Sequence, residues 1–226
     1  MATCNSLKNR ALTAIGSSLE WFDFSLYGFF APIFSQIFFP DSQNHLVSLL
    51  TAYGVFAVGF VARPIGAILF GYIGDKHGRA IALKITPLGI TFFTSIIAFF
   101  PNYDTAGSLS IVLLVIARII QGVLLGGEYA GNIVYLYESS PFQKYLWGSF
   151  ASCTGSLGII FASGISALSY SVFSTAFLHN YGWRIAFLLS LPIGISIFLM
   201  RRKISESPEF ITGQNSNPLS IVIQSL

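Results

Sequence analysis

Apolar residues run along this chain in long stretches divided by short polar breaks. Six stretches are long enough to cross a bilayer, since a helix spans the ~30 Å hydrocarbon core with ~20 mostly apolar residues. They are 11–34, 47–72, 81–100, 109–136, 146–170 and 183–200, and the breaks between them fall at 40–45, 74–79, 101–108, 138–144 and 171–182. The pattern predicts an all-α membrane protein with six transmembrane helices. It divides into an amino-terminal tail (1–10), a helical bundle (11–200) and the start of a central linker (201–226).

Basic residues orient the spans, because Lys and Arg accumulate in cytoplasmic loops. Lys8 and Arg10 precede the first span, Lys76 and Arg79 lie between the second and third, Lys144 between the fourth and fifth, and Arg201, Arg202 and Lys203 after the sixth. All fall on one side. The opposite loops hold no Lys or Arg until Arg184 at the mouth of span six. Both ends are therefore expected in the cytoplasm. The leading apolar run is broken by Glu20 and Asp23, which a cleavable signal core would not tolerate.

Composition agrees with a lipid solvent. Of the 226 residues 54% are hydrophobic and 9% charged, against about 25% charged in soluble domains. The net charge of +3 is scattered and does not suggest a nucleic-acid partner. Cys4 and Cys153 are far apart, so neither a disulfide nor a metal site is expected.

Charges inside the spans are the informative residues, since each costs at least ~2.5 kcal/mol at the bilayer centre. Five are present: Glu20, Asp23, Arg63, Arg118 and Glu128. A helical rise of ~1.5 Å per residue sets their depth. Asp23 comes out about 18 Å from the inner side and Arg118 about 14 Å from the outer side, both near the midplane. Glu20 is one turn inward of Asp23 on the same face. Arg63 and Glu128 share the inner third, at about 24 and 28 Å from the outer side. Depth thus predicts two sets, Glu20 and Asp23 with Arg118, and Arg63 with Glu128. A carboxylate beside a guanidinium stays ionised, and one deprived of it takes a proton; alternation between these settings would couple protons to conformational change. Fixed ion pairs that only tie helices together are the other reading. His45, His77 and His179 fall in loops, which excludes a histidine relay within the spans.

Spans one and four share a pattern: Glu20-Trp21 with Tyr27 seven residues after the Glu, and Glu128-Tyr129 with Tyr135 at the same distance. A three-plus-three inverted repeat makes these spans equivalent. Between spans two and three stands Gly71-Tyr-Ile-Gly74-Asp75-Lys76-His77-Gly78-Arg79. Small Gly71 and Gly74 suit close helix approach, Gly78 a tight turn, and Asp75 a helix cap paired with Arg79.

This loop resembles the signature loop of the major facilitator superfamily, with Ala80 where a further basic residue is usual. Leu19-Glu20-Trp21-Phe22-Asp23-Phe24, Gly59-Phe60-x-x-Arg63-Pro64-x-Gly66, Arg118-x-x-Gln121-Gly122, Gly126-Gly127-Glu128-Tyr129, Gly182-Trp183-Arg184 and Glu206-Ser207-Pro208-x-Phe210 narrow it. In this order they look like the metabolite:proton symporter family, which includes carriers of proline and betaine, α-ketoglutarate, shikimate and citrate.

The resemblance implies the amino-terminal six-helix bundle of a major facilitator fold in a bacterial inner membrane. It implies import of a small polar metabolite driven by a proton gradient, with no cofactor and no enzymatic chemistry. It carries over Glu20, Asp23, Arg63, Arg118 and Glu128 as polar core positions, and Tyr27 and Tyr129 as cavity aromatics or packing residues. Gly71, Gly74, Asp75, Lys76, Gly78 and Arg79 form its conformational latch. No phosphate loop is present, so no nucleotide engine is expected. The family has twelve spans with the site between two halves. The expected partner is therefore a second six-helix half, a separate chain or another copy, beside substrate, protons and lipid. The alternative is a truncated or split half without transport of its own.

Overall fold

The computed structural model describes residues 2–40, 44–140, 143–202 and 204–206, and these are helical almost throughout. Helix α1 (Ala2–Ile37) is followed by α2 (His45–Val61), α3 (Arg63–His77) and α4 (Arg79–Ile97). A short α5 (Tyr103–Ala106) leads into α6 (Ser108–Glu138) and α7 (Lys144–Val172). A helical turn α8 (Thr175–Phe177), a π turn (Leu178–Gly182), α9 (Trp183–Leu188) and α10 (Ser190–Arg201) complete the helices among the described residues. The expected tail 1–10 is thus helical from Ala2. The expected linker lies, beyond Glu206, outside the described residues.

Prolines account for two of the breaks. Pro64 and Pro192 have no N–H to give the carbonyls of Phe60 and Leu188, so the ladder lapses at Ala62, between α2 and α3, and at Leu189, between α9 and α10. Across each break the chain keeps its direction. Among the described residues five helical passages are long and apolar enough to cross a membrane: His45–His77, Arg79–Ile97, Ser108–Glu138, Tyr145–Val172 and Thr175–Arg201. Helix α1 is longer, at 36 residues, and less apolar; it carries Glu20 and Asp23.

Glycines set the packing. Gly122 and Gly126, four apart on α6, lie against the Gly59 and Arg63 carbonyls, and Gly66 lies against the Val123 carbonyl. The first two contacts advance together along both helices, so α6 runs parallel to α2–α3 at backbone contact, as small residues at four-residue spacing permit. Gly158 of α7 meets the Ser18 carbonyl of α1, and Gly194 of α10 meets Thr91 of α4. Aromatic rings fill the end of the bundle near Asn102, where Phe34 packs edge-on to Trp183 at 5.2 Å and to Phe38 at 5.4 Å. Outward faces are apolar: Val61, Ile65 and Ile68 on α2–α3 and Ile160 and Phe161 on α7 are each more than half exposed. No water-soluble surface is built that way, and lipid or a second apolar body suits it.

Candidate functional site

At the centre of the bundle lies a group that reads, in sequence, as a flanking basic residue. Arg201 closes α10, and its side chain is wholly buried. Its Nη1 donates to Glu20 Oε1 at 3.2 Å and to Glu128 Oε1 at 2.6 Å. It also donates from Nη1 to the Leu83 carbonyl at 3.2 Å and from Nη2 to the Thr13 carbonyl at 2.7 Å. Local sequence prepares each partner. Pro87 lacks the N–H that would satisfy the Leu83 carbonyl one turn back, and the guanidinium takes its place. Gly16 leaves the space, since a Cβ there would strike the guanidinium. Thr86 Oγ1 contacts Glu128 Oε2. Glu20 and Glu128 are 1% exposed, so the cluster is closed to solvent.

The predicted pairs therefore do not form. Among the described residues the ion pairs of Glu20 and Glu128 go to Arg201. Arg118 instead lies over the rings of Phe24, Tyr27 and Phe56 at 4.1, 4.5 and 5.1 Å. Its Nη1 donates to Gln121 Oε1 at 3.1 Å and to the Phe24 carbonyl at 3.4 Å. Arg63 lies over Phe60, Phe24 and Trp21 at 3.9, 4.6 and 4.8 Å. Nε and Nη2 of both arginines have no hydrogen-bond partner among the described residues. Asp23 accepts at Oδ2 from Thr91 Oγ1 at 3.4 Å, and its Oδ1 is likewise without a partner. Depth fixed only height along the axes. Azimuth decided the partners: the carboxylates of Glu20 and Glu128 meet the side chain arriving from α10, while Arg63 and Arg118 share the ring of Phe24.

Tyr27 is fully buried, donates to the Ala52 carbonyl at 3.2 Å and stacks on Phe56 at 6.0 Å. Tyr129 is 41% exposed and sets its ring edge-on to Trp21 at 6.2 Å. Of the two, Tyr129 is partly exposed and Tyr27 is buried, its ring against the Arg118 guanidinium.

The signature loop is a single residue wide. Helix α3 continues to His77, and Gly78, at φ 111°, turns the chain directly into α4. Asp75 pairs with Arg79 at 2.6 Å, and Arg79 also reaches Glu138 at 3.5 Å. Lys76 lies along Tyr72, its Nζ donating to the hydroxyl at 3.4 Å. The cap on α4 comes from elsewhere: the Glu206 carboxylate accepts from the Ala80 N–H at 3.1 and 3.2 Å, where Asp75 had been expected. Gly74 sits against Arg79 and Gly71 faces open space, so neither brings two helices to backbone contact.

The profile of the "Sugar (and other) transporter" family matches residues 10–218. The chain belongs to that family. It is a family of transporters, not enzymes. The proline/betaine transporter of Escherichia coli (strain K12) is 36% identical over 204 residues, which is 89% of this chain and 41% of that protein. The fold also superposes on solved structures of the xylose transporter XylE from E. coli. A partially occluded inward-open form gives a TM-score of 0.83 at 17% identity over 96% of this chain and 54% of that one. The proton:xylose symporter bound to 6-bromo-6-deoxy-D-glucose gives 0.84, again at 17% identity, over 99% and 50%. The chain thus spans less than half the length of the curated relative and about half of the solved chains.

Proposed function

We propose that this chain is the amino-terminal six-helix half of a proton-coupled importer of a small carboxylate-bearing metabolite, with proline and betaine the foremost candidates. It acts in a bacterial inner membrane with both ends cytoplasmic. The observation that carries the reading is the pair of arginines, Arg118 buried and Arg63 partly buried, whose Nε and Nη2 groups lack partners among the described residues and whose planes are held by aromatic rings. A guanidinium offers a carboxylate a bidentate fork. Aromatic faces and the open Asp23 oxygen suit the cationic end of a zwitterion. The relative named a proline/betaine transporter supports the same choice.

A second six-helix half would close the site and cover the exposed apolar face. The competing reading is a half without transport of its own. The test is uptake of labelled proline, betaine, α-ketoglutarate and shikimate by cells expressing the chain alone or with a relative's second half, with and without a protonophore. Protonophore-sensitive uptake of proline or betaine is expected once a second half is present. It should be lost in R63Q and R118Q while the protein stays in the membrane. Uptake that ignores the protonophore, or that survives both substitutions, refutes the reading.

A further inference from the structure

Hydrogens are too few around Arg201 if both carboxylates are ionised. Nη1 carries two hydrogens and faces three acceptors, Glu20 Oε1, Glu128 Oε1 and the Leu83 carbonyl. Thr86 carries one hydroxyl hydrogen and lies against two acceptors, the Ala82 carbonyl at 2.9 Å and Glu128 Oε2. Charge is unbalanced in the same direction. Two carboxylates and one guanidinium leave a net negative charge where no side chain is more than 2% exposed. An uncompensated charge in such a place costs several kcal/mol. A single added hydrogen corrects the contest at Thr86 and the charge: on Glu128 Oε2 it donates to Thr86 Oγ1, frees the Thr86 hydrogen for Ala82, and makes the cluster neutral, while Nη1 still shares two hydrogens among three acceptors.

We propose that the Glu20–Arg201–Glu128 cluster is a one-proton site, with the proton seated on Glu128 Oε2 and shared toward Thr86. Loading forms one O–H bond at Glu128 with a proton taken from water, and unloading returns it. Arg201 is the positioning residue, since its guanidinium holds both carboxylates to one nitrogen. The groups acting on the cluster are Glu20 and Asp23 from α1, Glu128 from α6 and Arg201 from α10, with the Thr86 hydroxyl and Leu83 carbonyl from α4. Asp23 is the rival seat, because its Oδ1 is buried without a partner among the described residues. The charge argument applies to it as well, since it is wholly buried with no ion pair among the described residues; it lacks the paired carboxylate and the contest for one hydroxyl hydrogen that place a hydrogen by geometry at Glu128. The use of this proton in import rests on the proposed function; its presence does not.

The experiment is infrared spectroscopy of the purified, lipid-reconstituted 226-residue chain at neutral pH, reading the carbonyl stretch of a protonated carboxyl group and its deuterium shift. The band is expected in the parent and in D23N, which removes any contribution from Asp23, and its loss in D23N/E128Q. Loss is expected in D23N/E20Q as well, since one carboxylate beside Arg201 needs no proton. T86V in the D23N background should keep the band and move it to higher frequency by removing the acceptor, and it serves where the E128Q variant fails to fold. Absence of the band in the parent, its survival in D23N/E128Q or D23N/E20Q, or its loss in D23N overturns the site. If the band behaves as expected while uptake ignores a protonophore, the one-proton site stands and proton-coupled import fails.

Discussion

Replacing Arg201 with Met keeps much of the side-chain volume and removes the guanidinium donors from the cluster. Two charge-assisted hydrogen bonds to carboxylates disappear, each worth about 1.5–3 kcal/mol. The Leu83 and Thr13 carbonyls lose a donor too. Breaking a buried pair from one side costs about 3–5 kcal/mol, so the two routes agree on roughly 4 kcal/mol of destabilisation. For a chain of this size that is a fall of about 10 °C in Tm, read by the fluorescence of Trp21, Trp147 and Trp183 during heating in detergent. The triple variant E20Q/E128Q/R201M has no buried charge left in the cluster and should recover at least half of the loss. R201M within about 1 kcal/mol of the parent would refute the reasoning. So would a triple variant no more stable than the single one, because the cost would then lie in packing rather than in stranded carboxylates.

G126A places a Cβ against the Arg63 carbonyl, where backbone must move; a loss of about 1–3 kcal/mol is expected in the same melt, with α6 and α3 held apart in a distance measurement between spin labels. E206Q weakens the charge-assisted cap on the Ala80 N–H, and faster amide exchange confined to the first turn of α4, equivalent to about 1 kcal/mol, should follow.

Much of the fold was legible, because hydropathy over a membrane's thickness is a strong signal and each basic loop agreed on one orientation. The buried charges were legible too, as residues too costly to keep without a role. Their pairing was not. Height came from counting residues, but Arg118 and Asp23 share a level without forming an ion pair among the described residues, and no single-helix pattern says which neighbour a side chain meets. Arg201 was hidden by its company: beside Arg202 and Lys203 it reads as one more cytoplasmic charge. A signal was present nonetheless. Ser190, Gly194, Ile197 and Arg201 recur at four, three and four residues and form the buried face of α10, while Arg202 falls off it. Asp75 was read as a cap because it is near in sequence, and the true cap on α4 lies 126 residues from Ala80.

The glycine contacts divide the bundle into three tightly joined couples: α1 with α7, α3 with α6, and α4 with α10. Within a couple, backbone lies against backbone or against a short side chain, and sliding is obstructed. Glu20 belongs to the first couple, Glu128 to the second, and Arg201 with Thr86 to the third. The ionic cluster is therefore a rivet at the junction of three plates, and the gain or loss of one hydrogen there changes how firmly all three are clamped.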